Sequence, residues 1–577
     1  MIRYTILSVI CGAMLLALSG CNNMRAEQRV VRDAAFEYRE IYLPEGNSKE
    51  GAQLGLNSVD TDWGIWGHNL WLMLPAQPSQ TIYAKRNGQT VHDQFCFMSD
   101  QLYEYFEKYI DNTFGDADGI RFAILPNDNN IVCTCPKCRA AGNTSTDASP
   151  AVFDMVRRLA TRFPNHYFFT SHYRTTSSIP TQHMPENTGV LISTMDYPFA
   201  AVATPKEAAF ERLLAAWATK TDRIYIWDYV NNFDDYFTPF PVFEVMQRRL
   251  QLYLRNGVKG VFFNGSGTDY SSLSRLKTHI LALLTENPSN DWRSLLKSLC
   301  EDFYPVTGET IADFMIAQED YAIATAKELP LYDGVQAALK TYLPEEAFNV
   351  FYNNLQTLKH DAGRAEREEI SLLCSAIELT RLEMMRLSGN IEDCKPMLED
   401  LAKLSKKDID VYNEGCWTID SYIRDYTFMY NHAEAMNGID RLKGVKLTPL
   451  NKLDPDYSDI SILTDGLLGL PSNYHCGNLI SSADPSLTIS VPYVDGMQHL
   501  RVCLVRNPAY RIAFPQQVIL KIGGVKLASY EPEKLATHSG HSFVDFELPP
   551  VVKGPITVTL VRNPEVSTMA IDEIESY

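Results

Sequence analysis

After its first twenty residues the chain has no apolar run approaching the roughly 20 residues needed to cross a bilayer, so the sequence describes an aqueous body behind a short leader. Positive charge is scarce, with 52 Lys and Arg against 71 Asp and Glu, a net charge of -19. That excludes the basic face nucleic acid phosphates demand; an acidic surface favours solubility without naming a substrate. No glycine-rich phosphate loop follows the first candidate strand, which argues against nucleotide binding. No His-x-x-x-His or similar spacing offers an open metal site of the kind a deacetylase would use. At 577 residues, 45% hydrophobic and 21% charged, the chain is globular and long enough for three or four domains of roughly 150 residues.

The N-terminus is an address. Arg3 precedes an apolar run, Ile6 to Leu18, and Leu18-Ser19-Gly20-Cys21 closes it. This resembles the bacterial lipobox, which implies cleavage before Cys21 and acylation of that cysteine; an ordinary signal peptide with a chance cysteine is the alternative. The expectation is a signal peptide over 1–20, a polar linker over 21–34, and a lipid-anchored protein of the cell envelope whose only membrane contact is that anchor.

Eight candidate strands follow: Phe36–Leu43, Trp66–Leu74, Gln94–Met98, Arg121–Asp128, His166–Tyr173, Val190–Tyr197, Arg223–Val230 and Gly260–Gly265. Between most of them apolar residues recur at three and four, as in Leu102, Tyr105, Phe106, Ile110 and in Phe210, Leu213, Leu214, Trp217. Strands alternating with helices imply a parallel sheet covered on both faces, and eight units suggest a (β/α)8 TIM-type barrel over 35–305; an open doubly wound sheet is the alternative.

A barrel gathers chemistry at its strand C-termini. Those ends carry His68, Asp128, His172, Asp196, Asp228 and Asn264, with Tyr173, Tyr197, Trp227 and Tyr229 among them. Aromatics beside carboxylates suit sugars, whose C–H faces stack on rings while their hydroxyls need acceptors. Glycoside hydrolysis needs two carboxyl groups, about 5.5 Å or about 6.5 to 9.5 Å apart. On a barrel Asp128 and Asp228 would face each other, with Asp196 the competing partner; for any one of them a loop cap or an ion pair is the plainer alternative. His68, His172, Tyr197, Trp227, Tyr229 and Asn264 are candidate sugar contacts.

The stretch Arg121–Arg139, RFAILPNDNNIVCTCPKCR, puts Cys133, Cys135 and Cys138 just behind Asp128, and Cys96 at the end of the third strand would be next door. Four thiolates would close a structural zinc site, pinning the loop with no open position for water. A disulfide with spare thiols is the alternative in an oxidising compartment, although bridging cysteines this close in sequence is strained. No organic cofactor is expected. Cys300, Cys374, Cys394, Cys416, Cys476 and Cys503 read as scattered buried thiols.

Downstream, 306–447 reads as a helical bundle, with stripes such as Phe348, Phe351, Tyr352, Leu355, Leu358. Residues 448–577 alternate apolar and polar in short runs broken by Pro and Gly, which reads as a β-sandwich. ILTDGLLG at Ile462–Gly469 and IDEIE at Ile571–Glu575 resemble galactose-binding-like modules, although no loop shows a clear aromatic platform.

The motifs EYRE (Glu37–Glu40), QFCF (Gln94–Phe97), the block Asn127–Arg139, IWDYVNNFDDYFTPFP (Ile226–Pro241) and NGVKGVFFNG (Asn256–Gly265) carry a resemblance. Phe36 to about Tyr304 resembles the bacterial "domain of unknown function 4838" family of exported, glycan-associated proteins. The resemblance implies a barrel glycoside hydrolase distantly similar to α-glucuronidases and β-hexosaminidases. The α/β domain such proteins often carry before the barrel is replaced here by the short linker. The layout Asn127-Asp128, then Cys133, Cys135 and Cys138, with Cys96 upstream, is also similar to family 42 β-galactosidases. That likeness implies Asp128 as acid/base, Asn127 on the sugar hydroxyl beside the scissile bond, Asp228 as nucleophile or base, and zinc on the cysteines. The departure is Asp where that family has Glu, which implies a narrower cleft or inversion. The reading is an envelope-anchored hydrolase of a poly- or oligosaccharide, against a non-catalytic glycan-binding lipoprotein or a deacetylase or lyase at the same rim.

Overall fold

The computed structural model describes residues 33–577 except 116, 456, 473–479, 482–483, 509–511, 532–539 and 564–568. The leader, Cys21 and Cys476 lie outside the described residues. Two compact units are present. The first comprises the described part of Met1–Phe233 with Pro239–Leu331 and Thr341–Arg367; the second comprises Asp234–Thr238, Tyr332–Lys340 and the described part of Glu368–Tyr577. Among the described residues no helix is long and apolar enough to cross a membrane.

The first unit is built on parallel strands: β1 (Tyr38–Tyr42), β2 (Trp63–Ile65), β5 (Arg121–Ala123), β6 (Tyr167–His172), β7 (Thr188–Ser193), β8 (Ile224–Tyr229) and β9 (Gly260–Asn264). They form one seven-stranded sheet in the order β1-β9-β8-β7-β6-β5-β2. Its two faces separate as the period of two requires. Tyr38, Trp63, Ala123, Leu125, Phe169, Leu191, Tyr225 and Phe262 meet in one inner cluster drawn from all seven strands or their immediate ends, so the sheet curls on itself. The alternate residues Phe122 and Phe168 enter a second core with the helices Asp100–Phe114 and Ser149–Arg162. Gly260 makes room inside: a Cβ there would sit 2.6 Å from the ring of Tyr225, which stacks on Tyr38 at 5.3 Å.

The sheet is not the closed eight-stranded barrel expected. The third candidate strand belongs to an antiparallel hairpin, β3 (Tyr83–Arg86) with β4 (Gln89–Phe95). Its turn is Asn87-Gly88, both at positive φ (52° and 81°), the geometry two-residue hairpin turns favour. The second candidate was placed too late. After β2 the chain turns at Gly67 (φ 61°) and enters a 3-10 turn at Leu70–Met73. No ladder joins β1 to β2. Side chains fasten that seam instead: Trp63 Nε1 donates to the Tyr38 hydroxyl (2.9 Å) and Val59 N to Glu40 Oε1 (2.8 Å).

Most helices of 308–436 follow one another through short loops, and the division between the units falls inside the helix Arg364–Ala376. Phe348, Phe351 and Leu355 are buried, and Phe351 stacks on Phe314 at 4.1 Å. In the second unit two antiparallel sheets, β10-β12-β17-β14-β15 and β11-β18-β13-β16, enclose one apolar core. These strands are β10 (Thr448–Pro449), β11 (Ile480–Ser481), β12 (Ser486–Val491), β13 (His499–Arg506), β14 (Gln517–Ile522), β15 (Val525–Tyr530), β16 (Gly540–Glu547), β17 (Ile556–Val561) and β18 (Ala570–Ser576). The alternating burial of β12 and β17 is the pattern a two-layer sheet imposes. Cys300, Cys374, Cys394 and Cys503 are buried free thiols, whereas Cys416 is partly exposed.

Candidate active site

β1 reads Tyr-Arg-Glu-Ile-Tyr, and its alternation turns Tyr38, Glu40 and Tyr42 inward while Arg39 reaches outward to the Ala282 carbonyl on the helix Ser274–Glu286. Glu40 is sealed inside, bonded to the Tyr38 hydroxyl and to Val59 N. Burial pushes its carboxyl up to about 8, against the two hydrogen bonds that favour the charged form. Between the ordinary glutamate value of about 4.3 and about 8, folded protein therefore keeps a proton that the unfolded chain releases. Stability falls as pH rises through that window. Glu40→Gln should flatten this dependence, read as urea midpoints at pH 5 and at pH 8.5; an unchanged slope would remove Glu40 as its source.

Above Glu40 the inner face becomes an aromatic floor. Trp66 stacks on Trp227 (4.8 Å, 15°) and meets Phe262 at 4.5 Å, and Tyr42 meets Phe262 at 5.7 Å. The Trp227 indole N–H is buried and has no hydrogen-bond partner among the described residues. On the β5–β6 side, His68 Nδ1 contacts the Pro126 carbonyl, and its ring lies 6.2 Å from Tyr173. Asp128 pairs with Arg174 at 3.1 Å, both partly accessible, with side-chain exposures of 21% and 13%. Burial, with the Asp128 charge second, raises the Tyr173 phenol, to which Asp196 adds a smaller push. On the β1–β9 side, burial and then the charges of Asp60, Glu40 and Asp269 push Tyr42 up to about 12.

The sequence candidates therefore divide. Trp227, Tyr229 and Asn264 fall on the inner face of β8 and β9, and the Tyr229 hydroxyl meets Ser193 Oγ at 3.0 Å. Asp128, Asp196 and His68 stand on loops beyond the strand ends. His172 alternates outward, its ring 6.1 Å from Trp217 of the helix Glu207–Ala218, and burial lowers its imidazole pKa. Tyr197 packs on Phe210 of that helix at 4.4 Å and lines a small pocket with Arg248 and Arg249.

Asp228 also points outward. It is fully buried, ion-paired to Arg249, and accepts from Tyr253 (2.5 Å) and Thr194 (2.7 Å). Because Trp227 faces in, its neighbour cannot, so Asp228 does not face Asp128 across the mouth as the sequence suggested. Asp228→Asn keeps the shape but leaves Arg249 buried without a counter-charge; an expected loss of about 2–3 kcal/mol in chemical denaturation checks this, and unaltered stability would contradict it.

The hairpin that takes the place of a third strand holds the Asp128 loop. Gln94 is buried and fully engaged: Nε2 donates to Asn127 O and Asn129 Oδ1 (both 3.1 Å), while Oε1 accepts from Phe95 N and Asn127 N. The side-chain amides of Asn127 and Asn129 both donate to Asp93 O, at 2.9 and 2.8 Å. One of the two N–H bonds of the Asn127 side-chain amide is thus committed to the hairpin backbone.

Behind this loop Cys96, Cys133, Cys135 and Cys138 converge, their sulfurs all within 4.8 Å of one another. Cys96 Sγ lies 3.7 Å from Cys135 Sγ and 3.6 Å from Cys138 Sγ, and all four are free thiols. Zinc–sulfur bonds of about 2.3 Å at tetrahedral angles separate sulfurs by about 3.8 Å. The four residues can therefore hold a tetrahedral metal ion. Hydrogen bonding from Cys138 and Cys96 lowers the Cys133 thiol, while hydrogen bonding to Cys133 raises Cys96. A second group, His432, Cys503 and Glu575, lies in the other unit. There Glu575 is bonded to His432 and stands 3.7 Å from Arg501, so its charge is already answered.

Sequence reading missed Tyr42, Glu40, Arg174, Trp66 and Asp269. The first two were legible in the alternation of EYREIY. Arg174, at φ 46° just past β6, carried no sequence signal.

The fold and mouth define a curled parallel-sheet protein with carboxylates above an aromatic floor. Residues 23–315 match the family described as Domain of unknown function (DUF4838), and the chain belongs to that family. No curated protein matches. Among solved structures, the chain is similar to one described as a GH138 enzyme targeting pectin rhamnogalacturonan II (9% identity, 82% of this chain and 76% of that chain, TM-score 0.28). It is also similar to a family 89 glycoside hydrolase from Clostridium perfringens (13% identity, 56% and 36%, TM-score 0.32). A third similarity is to CBM32-1 from a family 31 glycoside hydrolase of Clostridium perfringens (14% identity, 24% and 97%, TM-score 0.17). At these TM-scores none establishes a common fold.

Proposed function

We propose that the protein is a glycoside hydrolase acting on a poly- or oligosaccharide with two carboxyl groups at the mouth of the curled sheet. The observation that carries this reading is a partly accessible carboxylate, Asp128, on a loop at the same strand C-terminal end of the sheet as the stacked indoles of Trp66 and Trp227. Such a floor offers a sugar ring a stacking face. Asp128 is the first carboxyl of the pair, and Asp196 is the remaining sequence candidate for the second. One zinc ion on Cys96, Cys133, Cys135 and Cys138 supplies structure and no chemistry, because four thiolates leave no open position. A lipid on Cys21 holds the protein to the cell envelope, which mass spectrometry of the mature N-terminus checks by finding an acylated cysteine there. The C-terminal sheets act as a galactose-binding-like module; the isolated 448–577 segment binding no sugar on a glycan array would remove that role.

The test is release of reducing sugar from a broad glycan panel by purified protein. Release from at least one glycan supports the reading. Binding to glycans without release from any would favour a non-catalytic glycan-binding lipoprotein, and loss of acetyl groups or appearance of unsaturated ends would favour deacetylase or lyase chemistry.

A further inference from the structure

The loop that follows β9 carries a carboxyl group at the same mouth. β1 brings Tyr42 to the upper edge of the inner face, and Gly267 N donates to the Tyr42 carbonyl at 3.0 Å. Gly267 has φ 66°, and a Cβ there would lie 3.0 Å from Tyr42 Cε1, so the loop rests directly on the tyrosine ring. Asn47 Nδ2 holds the same glycine from the other side through its carbonyl at 3.2 Å. Two bonds then close a tight turn: Asp269 N donates to Ser266 O (3.0 Å) and Ser266 Oγ to Asp269 O (2.7 Å). The backbone of Asp269 is thereby fixed near Tyr42, whose phenol feels its charge.

The surroundings of this carboxyl differ from those of the other acids. Asp128 is ion-paired with Arg174, and Asp228 is sealed under Arg249. Asp196 is exposed. Among the described residues Asp269 has no side-chain hydrogen bond or ion pair; burial alone shifts it, and upward. A general acid must hold its proton until the leaving oxygen takes it, which a half-buried, unpaired carboxyl favours and an arginine pair opposes.

We propose that Asp269 is the proton donor of this site, completing with Asp128 the two-carboxyl set; the assignment rests on the hydrolase reading above. Asp269 gives its proton to the glycosidic oxygen as the bond from that oxygen to the anomeric carbon breaks and its electron pair stays on the departing oxygen. The Asp128 carboxylate either attacks the anomeric carbon or takes a proton from the water that does. In the first case Asp269, now a carboxylate, deprotonates the water that later cleaves the ester. Either way one water is consumed; in the first case both carboxyl groups return directly to their starting states, and in the second Asp128 releases its gained proton to solvent and Asp269 takes one up.

The experiment compares full-length wild type, Asp269→Asn and Asp128→Asn on the glycan cleaved by wild type and on the 2,4-dinitrophenyl glycoside of the same sugar, whose leaving oxygen needs no proton. Asp269→Asn is expected to slow the natural glycoside by about 10²- to 10⁴-fold, to leave the activated one within about tenfold of wild type, and to lose the alkaline limb of the pH profile. Asp128→Asn is expected to slow both. Asp269→Ser, which also lacks the carboxyl, is read in the same way should the first variant fold poorly. An Asp269 variant that matches wild type on both substrates, or is slowed equally on both, overturns the assignment while the hydrolase reading stands. A wild type that cleaves nothing overturns both.

Discussion

Asp128→Asn protein is expected to bind the glycan that wild type cleaves with near wild-type affinity and to turn it over at least about 10³-fold more slowly, the range lost with a proton-transfer or nucleophilic group. The substitution preserves shape and removes only the charge. What separates this outcome from a structural one is the energetics of the Arg174 pair. Asp128 and Arg174 keep only 21% and 13% of their side-chain exposure, and breaking such a partly buried pair costs about 1–3 kcal/mol. The melting temperature of the variant should therefore move by only a few degrees. Titration calorimetry with the cleaved glycan, steady-state kinetics and a thermal melt check the three parts. Turnover within tenfold of wild type would end the role given to Asp128.

Purified protein is expected to contain about one zinc per chain by elemental analysis, and Cys135→Ser to lose both the metal and at least about 5 kcal/mol of stability, a modest fraction of the binding energy of structural zinc sites. Cys135 is placed to do this. It caps the helix Pro136–Ala141, accepting from Cys138 N at 3.5 Å, while its sulfur faces Cys96 on the other side of the cluster. Losing the ion releases the cysteines that tie the hairpin to the loop behind Asp128. The same variant should thus lose turnover more steeply with temperature than wild type. Metal-free protein with paired cysteines would end the zinc assignment.

The core of the first unit was legible because fully buried parallel strands read as apolar runs, and six of the eight expected strands lie within a few residues of real ones. The two misplaced strands failed for local reasons. Gln94–Met98 looked apolar enough for a central strand, but Asn87-Gly88 upstream is a hairpin turn, and it pulled the segment into an antiparallel pair. Trp66–Leu74 is rich in tryptophan and leucine, yet Gly67 breaks it, and the Asn69 amide bonds the Trp66 carbonyl to hold the turn. Site residues are less legible because a strand end read from sequence carries no facing. A single step along β8 decides between Trp227, which enters the mouth, and Asp228, which is buried against the helix Phe243–Arg255. Asp269 lay in a loop with no pattern, and only the contact of Gly267 with Tyr42 gives it a place.

The seam between β1 and β2 sets a different constraint on this architecture from that of a closed barrel. When a sheet meets itself, strand number and stagger dictate the radius, and the width of the mouth is inherited with the fold. A sheet that stops one ladder short has no such fixed circumference. Here the gap is spanned by the Trp63–Tyr38 and Val59–Glu40 bonds, so a few side chains act as an adjustable buckle. Substitutions at Tyr38, Glu40 or Trp63 are expected to change the width of the mouth without altering any strand.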